Sequence, residues 1–185
     1  QAADTNPDTL VKSVVEEVLT VIKENKDPQT LRMLAEQKVL PHFDFRQMTQ
    51  TAVGKYWRDA STSQQQSLEN GFRSLLVNTY TASLSRSSSG AKTIEVKPLP
   101  GASASLGEAL VKTLVKESGK PPVAIDYRMA RGSGGWKVVD VTIENVSLVT
   151  NYRTTFSQEV ARSGIDGLIR TLEEKGRSAS KSGMG

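Results

Sequence analysis

Few side chains in this sequence could carry out catalysis or hold a metal ion. The 185 residues include no cysteine and one histidine, His42, which excludes thiol chemistry, disulfides and metal sites built from several Cys or His side chains. A serine hydrolase would have to use His42 as its base, but this residue follows Pro41 where a helix is predicted to end, and no G-x-S-x-G nucleophile elbow occurs. We therefore interpret His42 as a surface or capping residue and expect no metal site.

Two aspartates carry one enzymatic hypothesis. An Asp inside a pocket formed by helices over a curved sheet can act as a general base, as in a small-molecule isomerase or dehydratase. Strand alternation places Asp126 beside Arg128 on a polar face, which favours a surface role for Asp126. The predicted face of Asp140 also carries Trp136 and Val138, so the hypothesis stays open for Asp140.

The charge balance argues against a nucleic-acid partner. There are 24 basic and 20 acidic residues, a net charge of +4, and the two signs alternate along the chain rather than cluster.

No apolar run approaches the ~18 residues that a membrane-spanning helix needs. The start, Gln1-Ala2-Ala3, is compatible with a mature exported chain whose signal peptide has been removed, and residues 177–185 read as a disordered polar tail.

Helical periodicity dominates both ends of the sequence. Apolar residues recur at helical spacing, and Ser61-Thr62-Ser63 followed by Gln66 is a capping signal for the longest helix. Gly164 is expected to break the last helical stretch and Gly176 to end it. The predicted helices are Asp8–Asn25, a second from Pro28 to Pro41, Phe45–Thr51, Ser63–Ser85, Ser147–Arg162 and Ile165–Lys175.

The middle of the chain changes to a period of two. We predict four antiparallel strands with one covered face, and on the last of them Val139, Val141 and Ile143 point to that face. Gly132-Ser133-Gly134-Gly135 lies between two strands and reads as a hairpin turn rather than a phosphate cradle. The predicted strands are Lys92–Lys97, Glu108–Glu117, Pro122–Arg131 and Trp136–Ile143, which give a single α+β domain over residues 1–176.

Several motifs, in order, resemble the MlaC family, also called toluene-tolerance proteins. The match runs from about Leu10 to Gly176, and the segment Ser87–Pro121 carries little of it. In the first half the resembling residues are Phe43-Asp44-Phe45, Met48, Gly54, Tyr56-Trp57-Arg58, Ala60, Gln64 to Gln66, Phe72 and Thr79-Tyr80. In the second half they are Trp136 to Val141, Ser147-Leu148-Val149, Asn151-Tyr152-Arg153, Phe156 and Gly164 to Leu168.

The resemblance implies a periplasmic phospholipid carrier rather than an enzyme. Family members exchange glycerophospholipid between an outer-membrane lipoprotein–porin complex and an inner-membrane ABC transporter with an MCE-domain ring, which maintains outer-membrane lipid asymmetry. The implied fold is a cone like that of nuclear transport factor 2, with helices on one face of a curved four-stranded antiparallel sheet and acyl chains in an apolar pocket. The implied protein is a monomer that carries phospholipid as cargo and uses no cofactor.

The physics of such a carrier fits a sequence without reactive groups. A buried methylene contributes about 0.8 kcal/mol, so a ~16-carbon chain contributes on the order of 12 kcal/mol and must be kept from water. On the resemblance, we predict three lipid-contacting sets. They are Trp57, Phe72, Leu76 and Tyr80 on one wall, Ile125, Tyr127, Val139 and Val141 on the sheet, and Val149, Tyr152 and Phe156 on the far side.

Each of these residues has an ordinary alternative role. The apolar positions could equally form a filled core, because sequence periodicity does not distinguish a core from a cavity. Arg58 and Arg153 are weaker candidates for the lipid head group, and the alternative for both is an ion pair or a helix cap. Two other functions stay open: an isomerase or dehydratase that uses Asp140, and an adaptor that binds only proteins.

Overall fold

The computed structural model describes residues 6–86, 90–97 and 107–184, with side chains up to Arg177. Its contacts divide the chain into two compact units. One contains Gln1–Asn25, Glu36–Asp44 and Ser88–Leu148, and the other contains Lys26–Ala35, Phe45–Ser87 and Val149–Gly185. The prediction of one domain over residues 1–176 stays a prediction, and each unit is described by itself below.

The first unit is built on an antiparallel sheet of five strands in the order β1-β2-β3-β4-β5. The sequence predicted four, and the fifth is a two-residue strand that folds back on the fourth. Its turn is formed by Glu144 and Asn145, both with positive φ (49° and 68°), the conformation that a tight two-residue hairpin requires. The strands are β1 Lys92–Val96, β2 Glu108–Glu117, β3 Val123–Gly132, β4 Gly135–Ile143 and β5 Val146–Ser147.

One face of this sheet carries the core of the first unit. Helix α1, Pro7–Glu24, contacts β1 and β2 and contributes Val11 to that core, because its apolar residues recur at helical spacing. This confirms an α+β fold with a helix covering one face of an antiparallel sheet. The buried residues of the cluster are Val11, Ala109, Val111, Met129, Trp136, Val138 and Val141.

A β-bulge in β4 corrects the predicted inward face of that strand. Arg128 pairs with Asp140, but the next residue, Met129, pairs with Val138, so Val139 has no partner in the register. The extra residue reverses the alternation beyond it. Val138 rather than Val139 is therefore buried in the core beside Val141, and Val139 is half-buried.

The second unit is helical. Its helices are α2 Pro28–Leu34, α3 Phe45–Val53, α4 Thr62–Ser85 and α5 Leu148–Met184, and α4 contacts both α2 and α3. The predicted cap of α4 is present at Ser61, whose side chain accepts from Gln64 N at 3.1 Å. Gln64 Oε1 in turn accepts from Ser61 N at 2.8 Å, so the partner in this capping box is Gln64 and not Gln66.

Helix α5 contains the predicted break. Gly164 has φ 78° and ψ 178°, a backbone conformation that essentially only glycine adopts. Gly176 does not end the helix, which continues to Met184, so the predicted stop was wrong. The predicted disorder of residues 177–185 stays a prediction, since most of their side chains and all of Gly185 lie outside the described residues.

Between α2 and α3 the chain contains little regular α-helix. Ala35–Val39 forms a π-helical turn, Leu40–His42 a 3₁₀ turn, and Asp44 N donates to Val138 O at 2.9 Å within the first unit. Of the helices in the part of the chain that the structure describes, none has the length and apolar character needed to cross a membrane.

Candidate functional site

An aromatic cluster in the helical unit gathers three of the predicted lipid-contacting residues. Tyr152 and Phe156 lie four positions apart in α5, which puts them on the same side of one helical turn. Both rings contact Phe72 of α4, with centroids 5.3 Å and 5.2 Å from the Phe72 ring. Phe72 is 0 % exposed, so its ring is enclosed by protein, whereas Tyr152 is half-buried.

Tyr80, two turns further along α4, keeps more of its surface. It is 38 % exposed, unusually open for a large aromatic side chain in a helix that packs on others. Burial raises the pKa of the Tyr80 phenol, and the nearby Tyr152 raises it further; burial also raises the pKa of Tyr152. The two phenols thus lie near each other, in surroundings drier than water, with surface left for a further contact.

The other predicted residues of the helical unit are packed. Trp57 is buried, its carbonyl accepts from Gln65 Nε2 at 3.0 Å, and the Arg46 guanidinium lies 5.2 Å from the ring centroid. Leu76 and Val149 are also buried. These positions have the geometry of a filled core, and their contact with lipid stays a prediction.

Three of the four predicted sheet residues share the apolar face of the first unit. Ile125 pairs with Ile143, and Tyr127 pairs with Val111 on one side and Val141 on the other. Burial raises the pKa of Tyr127 to about 12, although the side chain is half-buried rather than fully enclosed. The fourth, Val139, is the residue displaced by the bulge.

Sequence reasoning missed several members of that face. Val138 and Trp136 were assigned to the face of Asp140, because regular alternation would put them there and no sequence signal marks the bulge. Val111 was not singled out, because β2 carries apolar residues on both faces. All three are buried in the sheet core.

The two arginines proposed for a head group have different surroundings. Arg153 Nε donates to Thr51 O at 3.0 Å, which satisfies a carbonyl near the end of α3 just before Gly54, a residue with φ 67°. This is a helix-capping contact of the kind given above as the alternative. Arg58 is exposed, directly after the 3₁₀ turn Gly54–Trp57.

Asp140, for which the enzymatic hypothesis stayed open, lies away from the apolar face. Asp140 accepts from Ser147 Oγ at 2.5 Å and from Val141 N at 2.8 Å, and it lies opposite Arg128 in the sheet register. The bulge therefore separates Asp140 from Trp136 and Val138, which had kept the enzymatic hypothesis open. Burial and the neighbouring Lys137 lower the pKa of His42, and no cluster of three potential metal ligands occurs within the described ranges.

A groove of about 440 Å³ runs along the helical unit between α4 and α5. Asn78 links its two sides by donating to Gly176 O at 3.2 Å, and its side-chain oxygen accepts from Arg32 Nε of α2 at 3.2 Å. None of the predicted lipid-contacting residues lines it, and most of its side chains are small or polar. The lining residues are Ser67, Asn70, Gly71, Ser74, Asn78, Leu172, Glu173, Gly176 and Arg177.

Comparison with known proteins gives consistent results. A family model described as MlaC protein matches residues 12–174. The intermembrane phospholipid transport system binding protein MlaC of Haemophilus influenzae is 22% identical over 179 residues, which are 93% of this chain and 83% of that protein. A phospholipid-binding protein from Ralstonia solanacearum, solved in complex with a phospholipid, is 33% identical with a TM-score of 0.85, covering 95% of this chain and 99% of that one. Because the family model spans most of its length, this chain belongs to the MlaC family.

Proposed function

We propose that this chain is a phospholipid carrier. It binds glycerophospholipid as cargo, without a cofactor, and moves it as a monomer through the periplasm. It exchanges lipid between an outer-membrane lipoprotein–porin complex and an inner-membrane ABC transporter with an MCE-domain ring, and so maintains outer-membrane lipid asymmetry. The observation that carries the proposal is the similarity, over 95% of the chain, to a protein solved with a phospholipid bound.

The geometry of both units supports lipid binding. Acyl chains need a dry, apolar surface, and no reactive group is required to hold them. Tyr80 and Tyr152 in the helical unit and Ile125 and Tyr127 in the sheet unit are apolar or aromatic side chains that keep accessible surface. A side chain with no accessible surface, such as Phe72, instead supports its neighbours.

The lipid itself provides the first test. The protein is purified without detergent, extracted, and examined by native mass spectrometry. We expect bound glycerophospholipid at about one molecule per chain, either as purified or after incubation with liposomes. A chain that stays free of phospholipid under both conditions would contradict the proposal, and turnover of a small molecule that depends on Asp140 would favour the enzymatic alternative.

A matched pair of substitutions tests the location of binding. Tyr80→Glu places a carboxylate on the exposed tyrosine of the aromatic region and is expected to lower lipid occupancy severalfold. Met33→Glu makes a similar change at another exposed apolar residue, 52 % exposed on α2, and is expected to leave occupancy unchanged. Both variants should keep the wild-type circular dichroism spectrum, and equal occupancy in the two would remove Tyr80 from the site.

Shuttling requires a separate experiment with membranes. The chain loaded with a fluorescent phospholipid is mixed with proteoliposomes that contain either the inner-membrane transporter complex or the outer-membrane complex. Lipid transfer above the level of protein-free liposomes is expected for both. If the chain binds lipid but transfers none to either complex, the binding part of the proposal stands and the shuttle part fails.

A further inference from the structure

Tyr127 places a hydroxyl group among apolar side chains of the sheet. It lies in the middle of β3, and its partners in the register are Val111 on β2 and Val141 on β4, both buried. Met129, on the same face two residues further along β3, is also buried. Strand alternation therefore places the Tyr127 phenol on the apolar face of the sheet.

The hydroxyl has no hydrogen-bond partner among the residues that the structure describes. Since none of their fully buried side-chain oxygen or nitrogen atoms lacks a partner, this hydroxyl keeps accessible surface. Its surroundings are dry, since burial raises the pKa of Tyr127 to about 12. Yet the side chain keeps part of its accessible surface. A ligand can therefore reach a side chain that otherwise packs against the apolar cluster of the sheet.

The chemistry around Tyr127 selects the kind of acceptor. Burial is the cause of the raised pKa, and the nearest residues on this face, Val111, Val141 and Met129, are uncharged. A phosphate oxygen beside these apolar side chains would bring a negative charge into an apolar region, which is unfavourable. An ester carbonyl is a neutral acceptor and joins each acyl chain to the glycerol of a diacyl phospholipid, so it matches a single phenol donor.

We propose that the Tyr127 hydroxyl donates a hydrogen bond to an ester carbonyl oxygen of the bound phospholipid. This rests on the proposed function and deepens it, because it makes Tyr127 a residue that distinguishes ester-linked from ether-linked lipids. The acyl chains themselves are recognised by the apolar side chains around it. The hydroxyl adds the one polar contact that fixes how far the glycerol end of the lipid enters.

A competition experiment tests this contact. Wild-type protein is loaded from liposomes that contain equal amounts of diacyl and dialkyl-ether phosphatidylethanolamine with the same chain length, and native mass spectrometry gives the bound ratio. One neutral hydrogen bond predicts a preference of about threefold to tenfold for the diacyl lipid. Tyr127→Phe is expected to bind both lipids with a ratio near one. Tyr56→Phe, the same change beside Lys55, should keep the wild-type preference.

The outcomes separate this proposal from the proposed function. If wild type binds both lipids equally, or Tyr127→Phe keeps the preference, the contact is wrong and lipid carriage stands. If neither lipid binds to wild type, the proposed function fails first. A measurement that does not need the variant is the infrared band of isotope-labelled ester carbonyls in the wild-type complex. A shift of one carbonyl to the lower frequency of a hydrogen-bonded group is expected, and two unshifted bands would overturn the proposal.

Discussion

The ring of Tyr152 meets the ring of Phe72 edge to face, with centroids 5.3 Å apart and planes inclined by 73°. This arrangement directs the positive edge of one ring at the negative face of the other. It stabilises the fold by more than the burial of apolar area alone. The two residues differ in access: Phe72 is fully enclosed, and Tyr152 keeps surface. We therefore expect Phe72 to contribute mainly to stability and its neighbour Tyr152 to be the one available for contact with a ligand.

Replacing Phe72 with alanine should strongly reduce the free energy of unfolding. The change leaves a cavity under Tyr152 and Phe156 and removes both ring contacts, so we expect a loss of about 3–5 kcal/mol, measured by urea denaturation. Tyr80→Ala, on the same helix but exposed, should cost less than about 1 kcal/mol. A loss below about 1 kcal/mol for Phe72→Ala would show that this ring is not enclosed in solution.

Gly164 and Gly176, both in α5, should respond in opposite ways to alanine. Gly164 has φ 78° and ψ 178°, with open space around its missing side chain, so the penalty for Gly164→Ala comes from the backbone alone, about 1–3 kcal/mol. Gly176 lies within the helix, and an added Cβ would make ordinary contacts with the Leu75 backbone. Gly176→Ala is therefore expected to be neutral or to stabilise by up to about 1 kcal/mol.

Thermal and urea unfolding of both glycine variants provide the comparison. Alanine lowers the conformational entropy of the unfolded chain equally at either position. The difference in unfolding free energy between the two variants therefore reports the native backbone conformation at each site. Equal effects at the two positions would contradict the break at Gly164.

The capping box of α4 should be coupled to Asp166. Gln64 Nε2 donates to Asp166 Oδ1 at 3.0 Å while its Oε1 caps Ser61 N. Gln64→Glu keeps the cap acceptor but sets a second carboxylate beside Asp166. In a double-mutant cycle, we expect this change to be about 0.5–1 kcal/mol less favourable with Asp166 present than in the Asp166→Asn background.

Salt provides the control for this cycle. The contact between the two side chains is exposed, so the repulsion should weaken as ionic strength rises. A coupling energy near zero at low salt would mean that Gln64 and Asp166 are not in contact in solution.

Tyr127 should make the protein sensitive to alkaline pH. Below pH 10 the phenol is protonated in both states, and its ionisation has no effect on stability. Between the unfolded pKa of 10.0 and the folded value of about 12, the unfolded state loses this proton and the folded state keeps it, so rising pH favours unfolding. The expected loss is about 1 kcal/mol at pH 11 and approaches about 2–3 kcal/mol above pH 12.

The measurement is the difference between wild type and Tyr127→Phe in urea denaturation at pH 9 and pH 11. Other tyrosines and lysines titrate equally in both proteins and cancel in the difference. If wild type loses no more stability than the variant over this interval, the phenol of Tyr127 is in water-like surroundings.

Most elements follow from patterns that are local in sequence. The spacing of apolar residues predicts α1, α3 and α4 to within two residues at each end, and Gly164 marks the break in α5 because its role is conformational. For α4 the sequence gives a capping signal in Ser61-Thr62-Ser63 followed by Gln66. The reciprocal contact instead joins Ser61 and Gln64, which have the required three-residue spacing. Turn Glu144-Asn145 contains no glycine, so the two-residue strand β5 was missed.

The candidate site is less predictable than the fold. Tyr152 and Phe156 could be paired from their spacing, but the enclosure of Phe72 and the openness of Tyr80 depend on what packs against α4. Arg153 was a weaker candidate for the head group, with a helix cap as its alternative, and its Nε donates to Thr51 O, a partner 102 positions away in sequence. Residue type indicates what a side chain can do, and tertiary packing decides whether it has surface left to do it.

The unpaired Val139 also bears on how this hairpin tolerates changes in length. If Val139 is left out of the count, the residues before and after it follow the regular alternation of an uninterrupted strand. A chain that lacked Val139 could therefore keep the Gly132–Gly135 turn, the buried Trp136 and the buried Val141 in their present orientations. Deletion of Val141 would instead move the neighbouring side chains of β4 to the opposite face of the sheet. Insertions and deletions among relatives should therefore accumulate at Val139.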